Sequence, residues 1–151
     1  MNTYIIDSNI VFSAFLNLES NIGDLLMNSL DVFEYYAPEY LIEEIEHHKN
    51  AIKEIAKLES TPFEQLKQLI FSRLTFLSDQ IIPFQVWYES ATLVRDVDED
   101  DIAFVAYSKY YDKDIWTGDK QFINGMTAKG FNRFISTSEL LKVRQSIRTA
   151  Y

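Results

Sequence analysis

Four acidic side chains stand at points of the chain where a metal-assisted reaction could use them. Asp7 ends the apolar run TYIID, Glu44 lies in a helical stretch, Asp101 ends the acidic run DVDEDD, and Asp119 follows IWTG. Carboxylates gathered without a basic partner repel each other, and a hard divalent cation removes that cost. Mg²⁺ and Mn²⁺ prefer oxygen ligands and commonly bridge to phosphate oxygens. If the four acids share one crevice, the chemistry indicated is metal-assisted phosphate chemistry.

Zinc chemistry and side-chain nucleophiles are poorly supported by the composition. The chain has no cysteine, and its two histidines are the adjacent pair His47 and His48. EEIEHH lacks the HExxH spacing that places two histidines on one helix face. His48 is predicted to be a half-buried packing residue on an apolar stripe with Leu41, Ile45, Ile52 and Ile55. No obvious Ser-His-Asp or Cys-His set is present.

The acids must be positioned by an alternation of strands and helices. Strands are predicted in TYIID, DVFEYYAP, QIIP and DIW and near Phe134-Ile135, with helical stretches between them. This alternation predicts an α/β fold with a parallel sheet covered on both faces. Ligands of such sheets bind beyond the carboxyl ends of the strands. Asp7 and Asp119 are therefore expected at that rim.

The run DVDEDD holds five acids in six residues at a helix entrance. Aspartate is favoured at the N-cap and in the first turn, where it accepts backbone N–H bonds and meets the helix dipole. One or two acids suffice for capping. We predict that Asp98 is the cap and Asp101 the ligand, with Asp98 and Asp100 as alternatives for the ligand position.

Length and charge indicate one domain over residues 1–151. The hydrophobic fraction is 47%, the net charge is −9, and no apolar run reaches the length of a membrane helix, so we predict a cytoplasmic protein without membrane contact. Residues 120–151 hold six of the 14 basic residues and one of the 23 acids. This basic end could contribute an RNA-binding track or a solvated helix, and charge alone does not decide between them.

The motifs YIIDSNIVFSAFL, YAPEYLIEEIEHH, DEDDIAFVAYS and IWTGDKQF resemble the four acidic motifs of PIN-domain nucleases in order and spacing. The resemblance spans roughly residues 3–140 and looks closest to the prokaryotic branch that includes toxins of toxin–antitoxin pairs. It implies a three-layer α/β/α sandwich with sheet order 3-2-1-4-5. By position, the family's four acids correspond to Asp7, Glu44, Asp101 and Asp119. The polar residues that orient them correspond to Asn9 and Thr117.

The resemblance also implies a function and partners. The expected activity is an endoribonuclease that uses one or two Mg²⁺ or Mn²⁺ ions to hydrolyse single-stranded RNA. The four acids would be the metal ligands, with Glu44 either a ligand or an orienter of the attacking water. The expected partners are the RNA substrate, an antitoxin with a basic segment, and a second copy in a homodimer.

Two other functions compete with the nuclease. The first is a catalytically silent PIN-like binding or assembly module, although degenerate members usually lose one or more acids. The second is a phosphate-accepting receiver-like domain, which needs an aspartate closing its third strand and a lysine closing its fifth. QIIPF offers no acid and FIST no lysine, so the receiver-like function is disfavoured. Divalent-dependent nuclease activity separates the enzyme from the binding module.

Overall fold

Five short strands form one parallel sheet in the computed structural model, which describes residues 1–150. They are β1 (Asn2–Ile6), β2 (Phe33–Pro38), β3 (Thr75–Leu77), β4 (Ile115–Trp116) and β5 (Phe134–Ile135). Their order in the sheet is β3-β2-β1-β4-β5, so the predicted order is confirmed. Strand β1 is central, with Ile5 paired to Tyr36 on one side and to Ile115 on the other.

Helices flank this sheet and connect its strands. They are α1 (Ser8–Leu16), α2 (Asn21–Asn28), α3 (Glu39–His47), α4 (Lys49–Ala56), α5 (Ser60–Phe71), α6 (Phe84–Val94), α7 (Ile102–Tyr111), α8 (Lys120–Thr127) and α9 (Thr137–Thr149). Helix α7 is apolar around much of its circumference, with consecutive buried residues from Ala103 to Ser108. A helix of this kind belongs in the interior, and α7 packs between α6 and the strands β1 and β2.

The third strand lies five residues before the position that we expected from the sequence. Residues 75–77 pair with β2, whereas QIIP (80–83) begins inside a 3-10 turn at Asp79–Ile81. The Ser78 side chain accepts the Gln80 N–H and so begins that turn. The two isoleucines of QIIP also differ in exposure, because Ile82 is buried and Ile81 is 54% exposed. The prediction of a strand at QIIP is therefore wrong.

The predicted apolar stripe after β2 is interrupted at His48. The backbone there leaves helical geometry (φ −97°, ψ 8°), which ends α3 and begins α4. Leu41, Ile45 and Ile52 are buried as expected, but Ile55 is 66% exposed because the break changes the phase of the stripe. His48 is exposed, and its ring meets Phe12 edge to face, so the half-buried packing role predicted for it is wrong.

The corner between α1 and α2 requires a glycine. A Cβ at Gly23 would lie 1.9 Å from the carbonyl oxygen of Leu18, far inside van der Waals contact. The Ser20 hydroxyl accepts the Gly23 N–H and caps α2. The close approach of α2 to the loop that connects it with α1 therefore depends on the missing side chain.

No single helix within residues 1–150 is long and apolar enough to cross a membrane. The pair α1 and α2, which is bent by 105°, meets the criterion on length and composition alone. Both helices contribute apolar residues to the core, among them Ile10, Val11, Leu25 and Leu26.

Most basic residues of the last quarter pair with acids elsewhere in the protein. The pairs are Lys129 with Asp96, Arg133 with Asp112 and Asp114, Arg144 with Asp24, and Arg148 with Asp31. Arg144 also donates to the Ser29 hydroxyl at 3.0 Å, and Arg148 donates to the Asn28 carbonyl at 2.6 Å. The contacts of Arg144 and Arg148 hold α9 against the end of α2. All of the pairs neutralise positive charge that an RNA-binding track would need.

Candidate active site

Asp7 stands at the carboxyl end of the central strand, where β1 turns into α1. Its backbone N–H donates to the Trp116 carbonyl at 3.1 Å, which ties it to β4. The side chain is 3% exposed and makes no capping bond to α1. Burial raises the pKa of Asp7 to about 6, and repulsion by Asp119 adds to this, although a hydrogen bond from Thr117 acts in the opposite direction. The buried strand thus delivers a carboxylate to the rim at a substantial electrostatic cost.

Thr117 joins the ends of β1 and β4 through its hydroxyl. It donates to Asp7 Oδ2 at 2.6 Å and accepts the Asp119 N–H at 3.1 Å. The Asn9 side-chain NH₂ group is a second donor to the Thr117 hydroxyl oxygen, at the longer distance of 3.5 Å. A hydroxyl has one proton and two lone pairs, so these contacts use its full capacity. Thr117 and Asn9 therefore lie where residues that orient the acids would be needed.

Asp119 begins the helix that follows β4. Its Oδ1 accepts the Phe122 N–H at 3.1 Å, which makes it the N-cap of α8. It also lines a small cavity of about 70 Å³ together with Asp98 and Asp101. The side chain thus serves local structure while facing the other acids.

Glu44 reaches the rim from α3. Its Oε2 accepts the Ser8 hydroxyl at 3.2 Å, and the same hydroxyl lies 3.5 Å from Asp7 Oδ1. Its Oε1 is buried without a hydrogen-bond partner. Burial raises the pKa of Glu44 to about 7, with further repulsion from Asp7, Asp100 and Asp98. Ser8 was not among the residues predicted for the site, although its place directly after a strand-end aspartate was a usable signal.

Asp101 supplies the fourth carboxylate, after the 3-10 turn Glu99–Asp101 that precedes α7. It stands at the N-cap position of α7 but makes no side-chain capping bond, and its Oδ2 is buried without a partner. The residue is 7% exposed. Burial raises the pKa of Asp101 to about 8, and four neighbouring carboxylates contribute, those of Asp7, Asp98, Asp119 and Glu44.

Three of the other four acids of DVDEDD have identifiable side-chain contacts. Asp98 accepts the Asp100 N–H at 3.0 Å and caps the 3-10 turn Glu99–Asp101, whereas the N-cap position of α7 itself is Asp101 and not Asp98 as predicted. Asp100 accepts the Tyr40 hydroxyl at 3.2 Å, and Asp96 pairs with Lys129. The crowding at this helix entrance therefore combines capping, pairing and one buried carboxylate, Asp101, that does neither.

These residues suit a hard cation by their donor chemistry. Three buried oxygens lack partners, namely Asn9 Oδ1, Glu44 Oε1 and Asp101 Oδ2, and each is a ligand type that Mg²⁺ accepts. In residues 1–150, however, no group of three or more His, Asp or Glu side chains is arranged closely enough to hold a metal ion. The four acids share one electrostatic environment, and their role as metal ligands stays a prediction.

Comparison with protein families agrees with the fold. A family model for the PIN domain matches residues 5–145, and the chain therefore belongs to the PIN domain family. PIN domains are generally nucleases and usually use divalent metals. No curated protein matches the sequence.

Proposed function

We propose that this protein is a divalent-metal-dependent endonuclease that hydrolyses single-stranded RNA. The observation that carries the proposal is the meeting of four carboxylates from separate elements at the carboxyl end of the sheet, where Glu44 and Asp101 keep buried oxygens without partners. Such an arrangement is costly in isolation, and a divalent cation bound to phosphate would relieve that cost.

In this mechanism the protein supplies positioning and charge. A Mg²⁺ or Mn²⁺ ion, when bound, would supply a water of lowered pKa and would neutralise charge on the phosphate. Asp7, Asp101 and Asp119 would hold one or two such ions. Glu44 would either join them or accept a hydrogen bond from the attacking water through Oε1, while Ser8 holds Oε2. The water oxygen would bond to phosphorus as the P–O3′ bond breaks, and the 3′ oxygen would take up a proton, which leaves 5′-phosphate and 3′-hydroxyl ends.

The direct test is cleavage of a labelled single-stranded RNA with Mg²⁺ or Mn²⁺, repeated in EDTA. Asp7→Asn and Asp119→Asn should each reduce the rate by on the order of 10²-fold or more. Asparagine retains an oxygen for the bonds from Thr117 and from the Phe122 N–H, so the fold should persist. Activity that survives complete chelation would eliminate the mechanism.

A matched control is Asp31→Asn, because Asp31 lies before β2, away from the carboxyl ends of the strands, and pairs with Arg148. Its cleavage rate should stay near that of the wild type. Metal binding can be followed without activity, through the rise in melting temperature when Mg²⁺ or Mn²⁺ is added. We expect Asp101→Asn to lose most of that rise, and an unchanged rise would remove Asp101 from the ligand set.

The alternative is a PIN-like module that binds without cleaving. The lack of three pre-arranged ligands within residues 1–150 favours this alternative. It predicts RNA or protein binding with no divalent-dependent cleavage, so the same assay separates the two functions.

The toxin role and the partners rest on family resemblance. We propose a homodimer that is inhibited by a protein whose basic segment enters the acidic crevice. An arginine or lysine placed there would compensate the carboxylates in place of the cation. A stable complex with the product of a neighbouring gene, and loss of RNA cleavage within it, would support this proposal.

A further inference from the structure

A cavity of about 350 Å³ lies beside the candidate active site. Its apolar wall is formed by Trp87, Ile102 and Ala103. It shares Tyr40 and Asp100 with a larger cavity of about 530 Å³ that Glu44 lines. The two cavities therefore meet at the hydrogen bond from Tyr40 to Asp100, one residue before Asp101.

Packing against Tyr107 holds the indole ring of Trp87 in place. Trp87 is half-buried on α6 and packs edge to face on Tyr107, with ring centroids 6.2 Å apart at 80°. The single proton of the Tyr107 hydroxyl is shared between the Leu77 carbonyl, at 2.8 Å, and the Asp79 carboxylate. A fixed aromatic wall costs little to order when a flat ligand binds.

Acidic side chains also line this cavity, namely Asp79, Glu99 and Asp100. They disfavour a phosphate group because both carry negative charge. They suit a planar, uncharged ligand that presents amino groups, since a carboxylate accepts hydrogen bonds from such donors. A nucleobase has this combination of an aromatic face and a polar edge.

The charge distribution favours stacking as the main source of RNA affinity. Four of the six basic residues after Asp119 are paired with acids of this protein, which weakens a phosphate-binding track at this end of the chain. Stacking of a base on an aromatic side chain contributes about 1–3 kcal/mol and tolerates salt far better than a phosphate contact.

We propose that this cavity, with Trp87 as its wall, receives an unpaired nucleobase of the substrate strand beside the scissile phosphodiester. The subsite rests on the proposed nuclease function and specifies its substrate as an unpaired strand. The acids at its edge favour cytosine, which presents an N4 amino group, over uracil, which presents an oxygen at that position. The substrate is thereby selected by its bases more than by its backbone charge.

The test measures binding without cleavage. Fluorescein-labelled oligo(C), oligo(U) and an abasic oligonucleotide of equal length are titrated with the full chain in EDTA and about 0.5 M NaCl, where repulsion from the acids is screened. We expect oligo(C) to bind several-fold more tightly than oligo(U) and the abasic strand to bind most weakly. Equal affinity for all three, or no binding of any, would overturn the subsite.

Substitutions locate the effect. Trp87→Ala should weaken oligo(C) binding roughly 5- to 150-fold, the equivalent of one stacked base, and Trp87→Phe should restore most of it. Glu99→Gln should reduce the preference for cytosine, because an amide can donate as well as accept. Unchanged affinity in a folded Trp87→Ala variant would also overturn the proposal, as expected if a protein segment occupies the cavity instead.

Phe84→Ala is the matched control. Phe84 lies on the same helix and is 78% exposed, but it does not line the cavity, so its removal should leave binding unchanged. The two proposals fail separately. Cleavage without base-dependent binding would contradict the subsite and support the nuclease. Base-dependent binding without divalent-dependent cleavage would support the subsite and contradict the nuclease.

Discussion

Replacing Asp101 with asparagine should stabilise the metal-free protein at alkaline pH. The folded-state pKa of Asp101 is raised to about 8 from an ordinary 3.8, so the folded protein holds this proton more tightly than the unfolded chain does. Ionisation therefore costs stability as pH rises from about 4 to about 8, and the full cost remains above that range. Asparagine carries no charge and escapes the cost.

The magnitude follows from the interval between the two pKa values. About four pH units correspond to roughly 6 kcal/mol at about 1.36 kcal/mol per unit. Part of this is repulsion from Asp7, Asp98, Asp119 and Glu44, which relax by taking up protons themselves. We therefore expect Asp101→Asn to gain about 2–3 kcal/mol of unfolding free energy at pH 8 and less than about 1 kcal/mol at pH 5.

Urea denaturation in EDTA at several pH values measures this difference directly. Asp31→Asn is the contrasting control, because Arg148 lowers the pKa of Asp31 and its substitution should bring no gain at pH 8. An Asp101→Asn variant that is less stable than the wild type at pH 8 would refute the reasoning. It would mean that the Asp101 carboxylate has a stabilising partner in the folded protein.

Three further substitutions test other parts of the structure. Thr117→Val should lower the free energy of unfolding by about 1–3 kcal/mol. It should also raise the pKa of Asp7, because a hydrogen bond that lowers this pKa is lost. The acid limb of the pH–rate profile should therefore move to higher pH, and Thr117→Ser should restore its position. Arg144→Ala should lower the free energy of unfolding by about 1–2 kcal/mol, because its hydrogen bonds to Asp24 and Ser29 are lost. The salt dependence of RNA binding should stay unchanged in this variant, and a flatter dependence would support an RNA-binding track. Gly23→Ala should cost at least about 1–3 kcal/mol in urea denaturation, because the added methyl meets a backbone oxygen, and a neutral effect would contradict the tight helix corner.

The sequence was sufficient to predict the fold class and the positions of the rim acids. The class followed from alternating strands and helices, and Asp7 and Asp119 follow their strands as expected. The sheet order came from family resemblance, since periodicity does not fix how strands are arranged. QIIP was misassigned because a short apolar run suits a strand or a turn equally, and the Ser78 cap decides between them.

The contacts around the site were harder to predict than the acids. The sequence shows that Ser8 follows Asp7 but not that α3 brings Glu44 within 3.2 Å of its hydroxyl. The basic end was equally ambiguous, because charge counts do not reveal which acids Arg144 and Arg148 meet across the fold. Both features depend on tertiary distances between residues far apart in the chain.

The two sides of the acidic rim differ in how many strand pairings hold them in place. Strand β1 pairs with β2 at four positions, whereas β4 pairs with β1 at two and with β5 at two. Asp119 follows β4, Glu44 lies on the helix that follows β2, and Asp7 lies between them at the end of β1. Backbone amides near Trp116 should therefore exchange with deuterium sooner than those near Tyr4, because fewer ladder bonds resist local opening. A ligand that bridges the rim would couple the two sides, and its binding would be recorded as slower exchange on the β4 side.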